Sequence, residues 1–244
     1  MANIVNAIRN ISSDTWWFVK IVVMAVPIFY FFENTSPATF DFNSFVPYFA
    51  LFSVLYLGVV AVLMHRNIQN KSPLMPSLFS IPEYIVKSIG LSIVSIPMYI
   101  LYFFSMAFVY NNVELETYMM VIIYVAVTLL FAPFIFIPSV LYSVNGKVIE
   151  AFNFKIILEC GGNFCVQFLS FLLQYVFTIL LVAGLFFHWF KNMLEDPMLL
   201  NVTVSITIVV SFLTLYSYCS DMYGDVIAHL PEKKKKKKSK TVDS

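Results

Sequence analysis

Residues Ala132–Gln174 read APFIFIPSVLYSVNGKVIEAFNFKIILECGGNFCVQFLSFLLQ: an apolar run, a polar turn at Asn145-Gly146-Lys147, a mixed segment from Val148 to Cys160, and the start of a second apolar run. On both sides the hydrophobic sequence continues far beyond what a soluble core could use. A soluble domain is about 45–50% apolar and about 25% charged. This chain of 244 residues is 60% hydrophobic and 12% charged, with a mean hydropathy of +0.82. Water cannot hold a fold of this size with so much apolar surface, so the chain reads as an all-α polytopic transmembrane bundle. Barrel strands would show segments of about 10 residues with alternating polarity, which these runs lack.

Outward from the quoted stretch, the apolar runs predict six spans. They are Trp16–Phe32, Phe45–Met64, Ile85–Tyr110, Tyr118–Val144, Phe164–Phe190 and Met198–Tyr218. Each approaches or exceeds the ~20 residues that cross a bilayer core. Pro97, Pro133 and Pro138 are expected kink sites in the longer ones. Ahead of the first span, residues 1–15 form an amphipathic interfacial segment with Ile4, Val5, Ile8 and Ile11 on one stripe. Ser12, Ser13 and Asp14 are candidate caps for the span that follows, and Trp16 and Trp17 suit an interfacial belt. The mixed segment Val148 to Cys160 reads as a further interfacial helix, with Gly161-Gly162 separating it from the fifth span. Residues 16–230 thus make the transmembrane domain and residues 231–244 a disordered polybasic tail. A weak repeat, Phe18-Val19-Lys20 and Ile85-Val86-Lys87 each ahead of a proline, fits a build of helical hairpins.

Charge sets the expected orientation. Arg9, Lys20, Arg66, Lys71, Lys87, Lys147, Lys155 and the tail lysines fall on one side of this topology, and Lys191 alone on the other. Cationic loops stay in the cytoplasm, which places both termini there, in a protein integral to the cell membrane. The tail cluster Lys233, Lys234, Lys235, Lys236, Lys237, Lys238 and Lys240 is a candidate contact for anionic lipid headgroups, at about 1 kcal/mol per basic residue near the surface. Without a folded cytoplasmic domain or interleaved aromatics, nucleic acid is not an expected partner.

Ionisable residues inside a bilayer mark function by default, and the deep hydrocarbon here is almost free of them. Lys20 lies one turn inside the first span and can snorkel to the interface; His188 falls in a belt position beside Trp189. Gln167, Ser170 and Gln174, one helical turn apart on the fifth span, form the best intramembrane polar stripe. It either lines a path or joins helices by hydrogen bonds. Asn201, Thr203, Ser205 and Thr207 make a weaker set. Catalytic motifs, phosphate-binding loops and metal-ligand spacings are absent from the sequence, and Cys160, Cys165 and Cys219 read as reduced thiols. No cofactor and no enzymatic activity are expected. Two function classes stay open: a non-catalytic membrane scaffold or partner subunit, which includes self-association, and a permease-type component of a transport complex.

Three cytoplasmic segments carry a resemblance. Ser13-Asp14-Thr15-Trp16-Trp17-Phe18-Val19-Lys20, then Ile81-Pro82-Glu83-Tyr84 with Gly90-Leu91 and Ile96-Pro97, then Asn145-Gly146-Lys147-Val148-Ile149-Glu150-Ala151-Phe152 follow one order along the chain. The order resembles that of an uncharacterised family of bacterial and archaeal polytopic membrane proteins, domain of unknown function 4013. The resemblance implies six helices and no known activity. Ile96 stands where many members have an aromatic residue, and the lysine-rich tail is unusual for the family.

Overall fold

The computed structural model describes residues 3–34, 56–69, 81–112, 117–190 and 196–223. Among these, every regular element is helical. The elements are α1 (Ile4–Ser12), α2 (Trp17–Asn34), α3 (56–68), α4 (Ile81–Asn112), α5 (Thr117–Asn145), α6 (Val148–Ala151), α7 (Phe154–Phe190) and α8 (Pro197–Met222). Among the described residues, four stretches are long and apolar enough to cross a membrane: Pro82–Asn112, Tyr118–Asn145, Phe154–Thr178 and Met198–Met222. A fifth is obtained if α1 and α2, which meet at 96°, count together. Most of the expected span Phe45–Met64 lies outside the described residues, which begin again at 56.

Local chemistry explains where the helices start and stop. Asn3 caps α1 by accepting from the Val5 N–H at 3.0 Å. Asp14 opens α2, its Oδ1 accepting from the Trp16 N–H at 2.8 Å. Pro82 sits in the first turn of α4, where its missing N–H does no harm, and Glu83 there pairs with Lys87 at 3.3 Å. Gly146 ends α5 with φ +69, a left-handed conformation that favours glycine. The pair Gly161-Gly162, by contrast, does not break the chain: α7 runs through it without interruption. In an apolar medium a broken helix would strand unpaired backbone groups, a larger penalty than glycine's poor helix propensity.

Prolines pose the same problem from the other side, since each removes the N–H that would bond four residues back. Pro133 leaves the Leu129 carbonyl without its usual donor, and the Cys165 thiol of α7 donates to that oxygen at 3.2 Å. Near Pro27 in α2, the Tyr56 hydroxyl of α3 donates to the Met24 carbonyl, one residue on from the Val23 carbonyl that the proline leaves without its usual donor. With the bond at Leu129 replaced, α5 continues past a residue that would otherwise break it, and α2 likewise runs through Pro27.

Packing places α4 against α5, α2 and α1 against α8, and α7 against α5. Leu91, Val94, Ile137, Phe164, Leu213 and Tyr216 anchor the core. On α1 the buried face is Ile4, Ala7 and Ile11, while Val5 and Ile8 of the expected stripe point outward. Gly90 is needed where α4 crosses α5, because a Cβ there would strike the Tyr142 ring, 2.7 Å from its Cε2. The outer surface is itself apolar: Val86 of α4 is 70% exposed and Phe104 71%. Such faces belong in lipid.

Two substitutions check this packing in detergent melts. Gly90→Ala should destabilise by about 1–3 kcal/mol, as overpacking does, whereas Gly162→Ala, with nothing within 4 Å of the added carbon, should be neutral or mildly stabilising. Cys165→Ala should lower stability by about 1 kcal/mol by leaving the Leu129 carbonyl unpaired, and Cys165→Ser should recover most of that loss.

Candidate functional site

Polar side chains gather at one end of the bundle and tie four helices together. Asn67, at the end of α3, donates to Ser220 Oγ at 2.6 Å and Asp221 Oδ1 at 2.7 Å on α8. Asn10 of α1 donates to Asn67 Oδ1 at 3.2 Å and to Asp221 Oδ1 at 3.3 Å. His65 places Nδ1 2.7 Å from the Ser143 carbonyl of α5, which requires the tautomer protonated on Nδ1. Lys20, expected to snorkel, instead meets Asp14 at 2.5 Å, and both are buried. Burial works to raise the Asp14 pKa. The hydrogen bonds from Lys20 and the Trp16 N–H, with the charges of Lys20 and Arg66, outweigh it and hold the carboxyl below its ordinary value. At the opposite end, Asn201 of α8 donates to Glu33 of α2 at 2.8 Å.

The three members of the polar stripe have separate fates. Gln174 Oε1 accepts from the backbone N–H of Ile4 at 3.2 Å, and its Nε2 donates to Ser170 Oγ at 3.0 Å. Gln174 thus supplies a partner for the first turn of α1, which a helix N-terminus otherwise lacks. Gln167 contributes its backbone carbonyl, which accepts from the Tyr218 hydroxyl at 3.1 Å; its buried Oε1 has no partner among the described residues. The seven tail lysines and the side chain of His188 lie outside the described residues.

Between the two polar ends, α4, α5, α7 and α8 line a partly open chamber of about 600 Å³. Aromatic rings form much of its wall: Phe136 stacks on Phe168 at 5.4 Å, Phe168 lies 6.0 Å from Phe171, and Phe136 meets Tyr216 edge-on at 5.4 Å. Hydroxyls cross it in pairs. Tyr99 meets Tyr216 at 2.9 Å, and Tyr175 donates to Ser211. Tyr102 lies 3.0 Å from Thr128 Oγ1, which itself donates to the Tyr124 carbonyl at 2.7 Å, so Tyr102 is the donor. A second hollow of about 480 Å³ shares Tyr102, Thr128 and Leu172 with the first. The described lining of both carries no carboxylate, cation, imidazole or thiol, and the described residues bring no three His, Cys, Asp or Glu side chains together.

Sequence reading missed both the asparagine–aspartate cluster and the chamber. Asn10, Asn67 and Asp221 are far apart in the chain, and only Asp221 at the end of the last span offered a signal. For the chamber the available signal was a tyrosine or hydroxyl residue on every wall helix: Tyr99, Thr128, Tyr175 and Ser211. No family model, curated protein or solved structure matches the chain.

The Asp14–Lys20 pair gives a pH dependence of definite sign. The folded pKa of Asp14 lies below its unfolded value, so its contribution is fully present above the unfolded value of about 3.9 and is lost as pH falls through the folded one. Asp14→Asn should therefore melt below the wild type at neutral pH, and the difference should shrink as the pH is taken below about 4.

Proposed function

We propose that the chain is a six-span protein of the cell membrane, with both termini in the cytoplasm, acting as a non-catalytic scaffold or partner subunit. One observation carries this reading: charged side chains sit at the ends of the bundle, and the described interior between them is lined by rings and by hydroxyls most of which pair with one another. An ion-coupled carrier generally needs a charge or a broken helix at mid-depth. Gln174, the best candidate for lining a path, is engaged with α1 and Ser170 instead.

The six-span count adds the sequence between α2 and α3 to the candidate spans. Contacts at the two ends are compatible with it, since α3, α5 and α8 finish where α2 begins, and α2 finishes where α8 begins. The excess of lysine and arginine supports a cytoplasmic placement of the first of these ends. Tail lysines held at that face suit anionic lipids as a further contact. Kinship with domain of unknown function 4013 is proposed on the same architectural grounds and adds no activity.

Affinity purification in mild detergent should recover the protein as a self-assembly or with a non-transport partner; stoichiometric recovery with an ATPase would overturn the scaffold reading in favour of a permease. For topology, an epitope inserted between Val113 and Glu116 should be reached by antibody on intact cells, and one after Ser244 only after permeabilisation. The reverse pattern would sink the orientation.

A further inference from the structure

We propose that the chamber walled by α4, α5, α7 and α8 holds a single hydrocarbon chain of a membrane lipid, which enters sideways between α4 and α5. The inference rests on the membrane-embedded reading and is independent of the scaffold role.

Size, chemistry and access favour this occupant. A volume of about 600 Å³ lies inside the usual range of ligand sites, about 300–1,000 Å³. Water is poorly suited to it. A buried water needs two to four polar partners, whereas Tyr102 and Tyr175 donate to Thr128 and Ser211, which in turn donate to the Tyr124 and Thr207 carbonyls. These two relays end on helix backbone, and the Tyr99–Tyr216 pair leaves a single hydroxyl proton over. An ionic headgroup has no counter-charge in the described lining. A hydrocarbon chain asks for neither.

The second hollow supplies the way in. It joins the first through Tyr102, Thr128 and Leu172, and it reaches Phe103 on α4 and Val121 on α5, which are 61% and 55% exposed on the apolar outer surface. Once the bundle lies in a bilayer, that surface is bathed in acyl chains. The path from bulk lipid to the aromatic wall crosses no charged side chain among its described lining.

A phospholipid bearing a diazirine at mid-chain tests the idea on the full-length protein in membranes. After irradiation, peptide mapping should find adducts on Phe136, Tyr102 and Leu172 as well as on lipid-facing residues such as Phe104. Adducts confined to Phe104 and other outer residues would overturn the proposal. Ala132→Phe and, separately, Leu172→Phe occupy the chamber, and each should abolish the Phe136 adduct while leaving the Phe104 adduct unchanged. If Ala132→Phe does not fold, Leu172→Phe carries the comparison. An adduct pattern identical to that of the wild type in a folded variant would also overturn it. So would hydroxyl-radical labelling of Tyr102 in membranes, because it would show the chamber to be wet. Carbonate extraction separates the two levels: release into solution removes the membrane reading itself, whereas retention without a Phe136 adduct removes only the lipid site.

Discussion

Hydrocarbon offers nothing that hydrogen-bonds to a peptide group, and most of this architecture follows from that constraint. It makes helices the only economical element and forces them to run through residues that would end them in water. Gly161-Gly162 stays helical, and Pro27, Pro97, Pro133 and Pro138 all lie inside helices. The described repair at a proline comes from a side chain of a neighbouring helix, Cys165 at Leu129. Small hydroxyls obey the same rule within one helix. Ser95, Ser139, Ser143 and Thr207 each donate to the carbonyl four residues back. Their protons are then taken, so most donors that cross between helices come from longer side chains. Tyrosines fill that part: Tyr56, Tyr102, Tyr175 and Tyr218 each reach another helix.

Charge obeys the same constraint more severely, because an ion in hydrocarbon costs far more than an amide. Asp14 and Lys20 are both buried, but they neutralise one another at a distance of 2.5 Å at the bundle's end. Asp221 accepts amide protons from two other helices. These groups do more than avoid a penalty. Helices in lipid gain little from hydrophobic contact, since acyl chains are as apolar as leucine, so directional polar contacts fix which helix meets which. Asn10, Asn67 and Asp221 specify the meeting of α1, α3 and α8, and Gln174 brings α7 to the first turn of α1.

The all-helical class was legible in the sequence, as were most helix boundaries, because both depend on run length and local chemistry. The expected run Tyr118–Val144 and the observed helix Thr117–Asn145 differ by one residue at each end, and Asp14 caps where a cap was expected. What was illegible depends on partners distant in the chain. Periodicity could show that α1 is amphipathic, but Ala7 displaced Val5 and Ile8 on its buried face because α8 decides which stripe is covered. Glycine at 161–162 signals a break only on the assumption that freed backbone groups can find water, which fails at this depth. The chamber's signal in the sequence was too diffuse to read for a related reason: its hydroxyls look one at a time like ordinary helix residues, and only their pairing across α4, α5, α7 and α8 makes a wall.

That wall bears on why a packed bundle keeps an unfilled volume at all. In a soluble protein an apolar void is destabilising because its lining loses dispersion contacts and no solvent molecule restores them. A bundle in lipid meets a different reservoir. Its solvent is made of flexible apolar chains, and moving one from the bilayer into an apolar hollow exchanges one hydrocarbon environment for another. The void penalty is then removed with little transfer cost, provided that the hollow is reached sideways and that no polar group along the way demands a partner. The packed rings of Phe136, Phe168 and Phe171 supply few rotatable bonds, so the space does not collapse by side-chain rearrangement. Paired hydroxyls add stiffness across the gap without presenting a charge. A cavity with these properties is stable only where lipid is the solvent. The constraint that makes the chain helical therefore also lets it keep an apolar space large enough to hold another molecule.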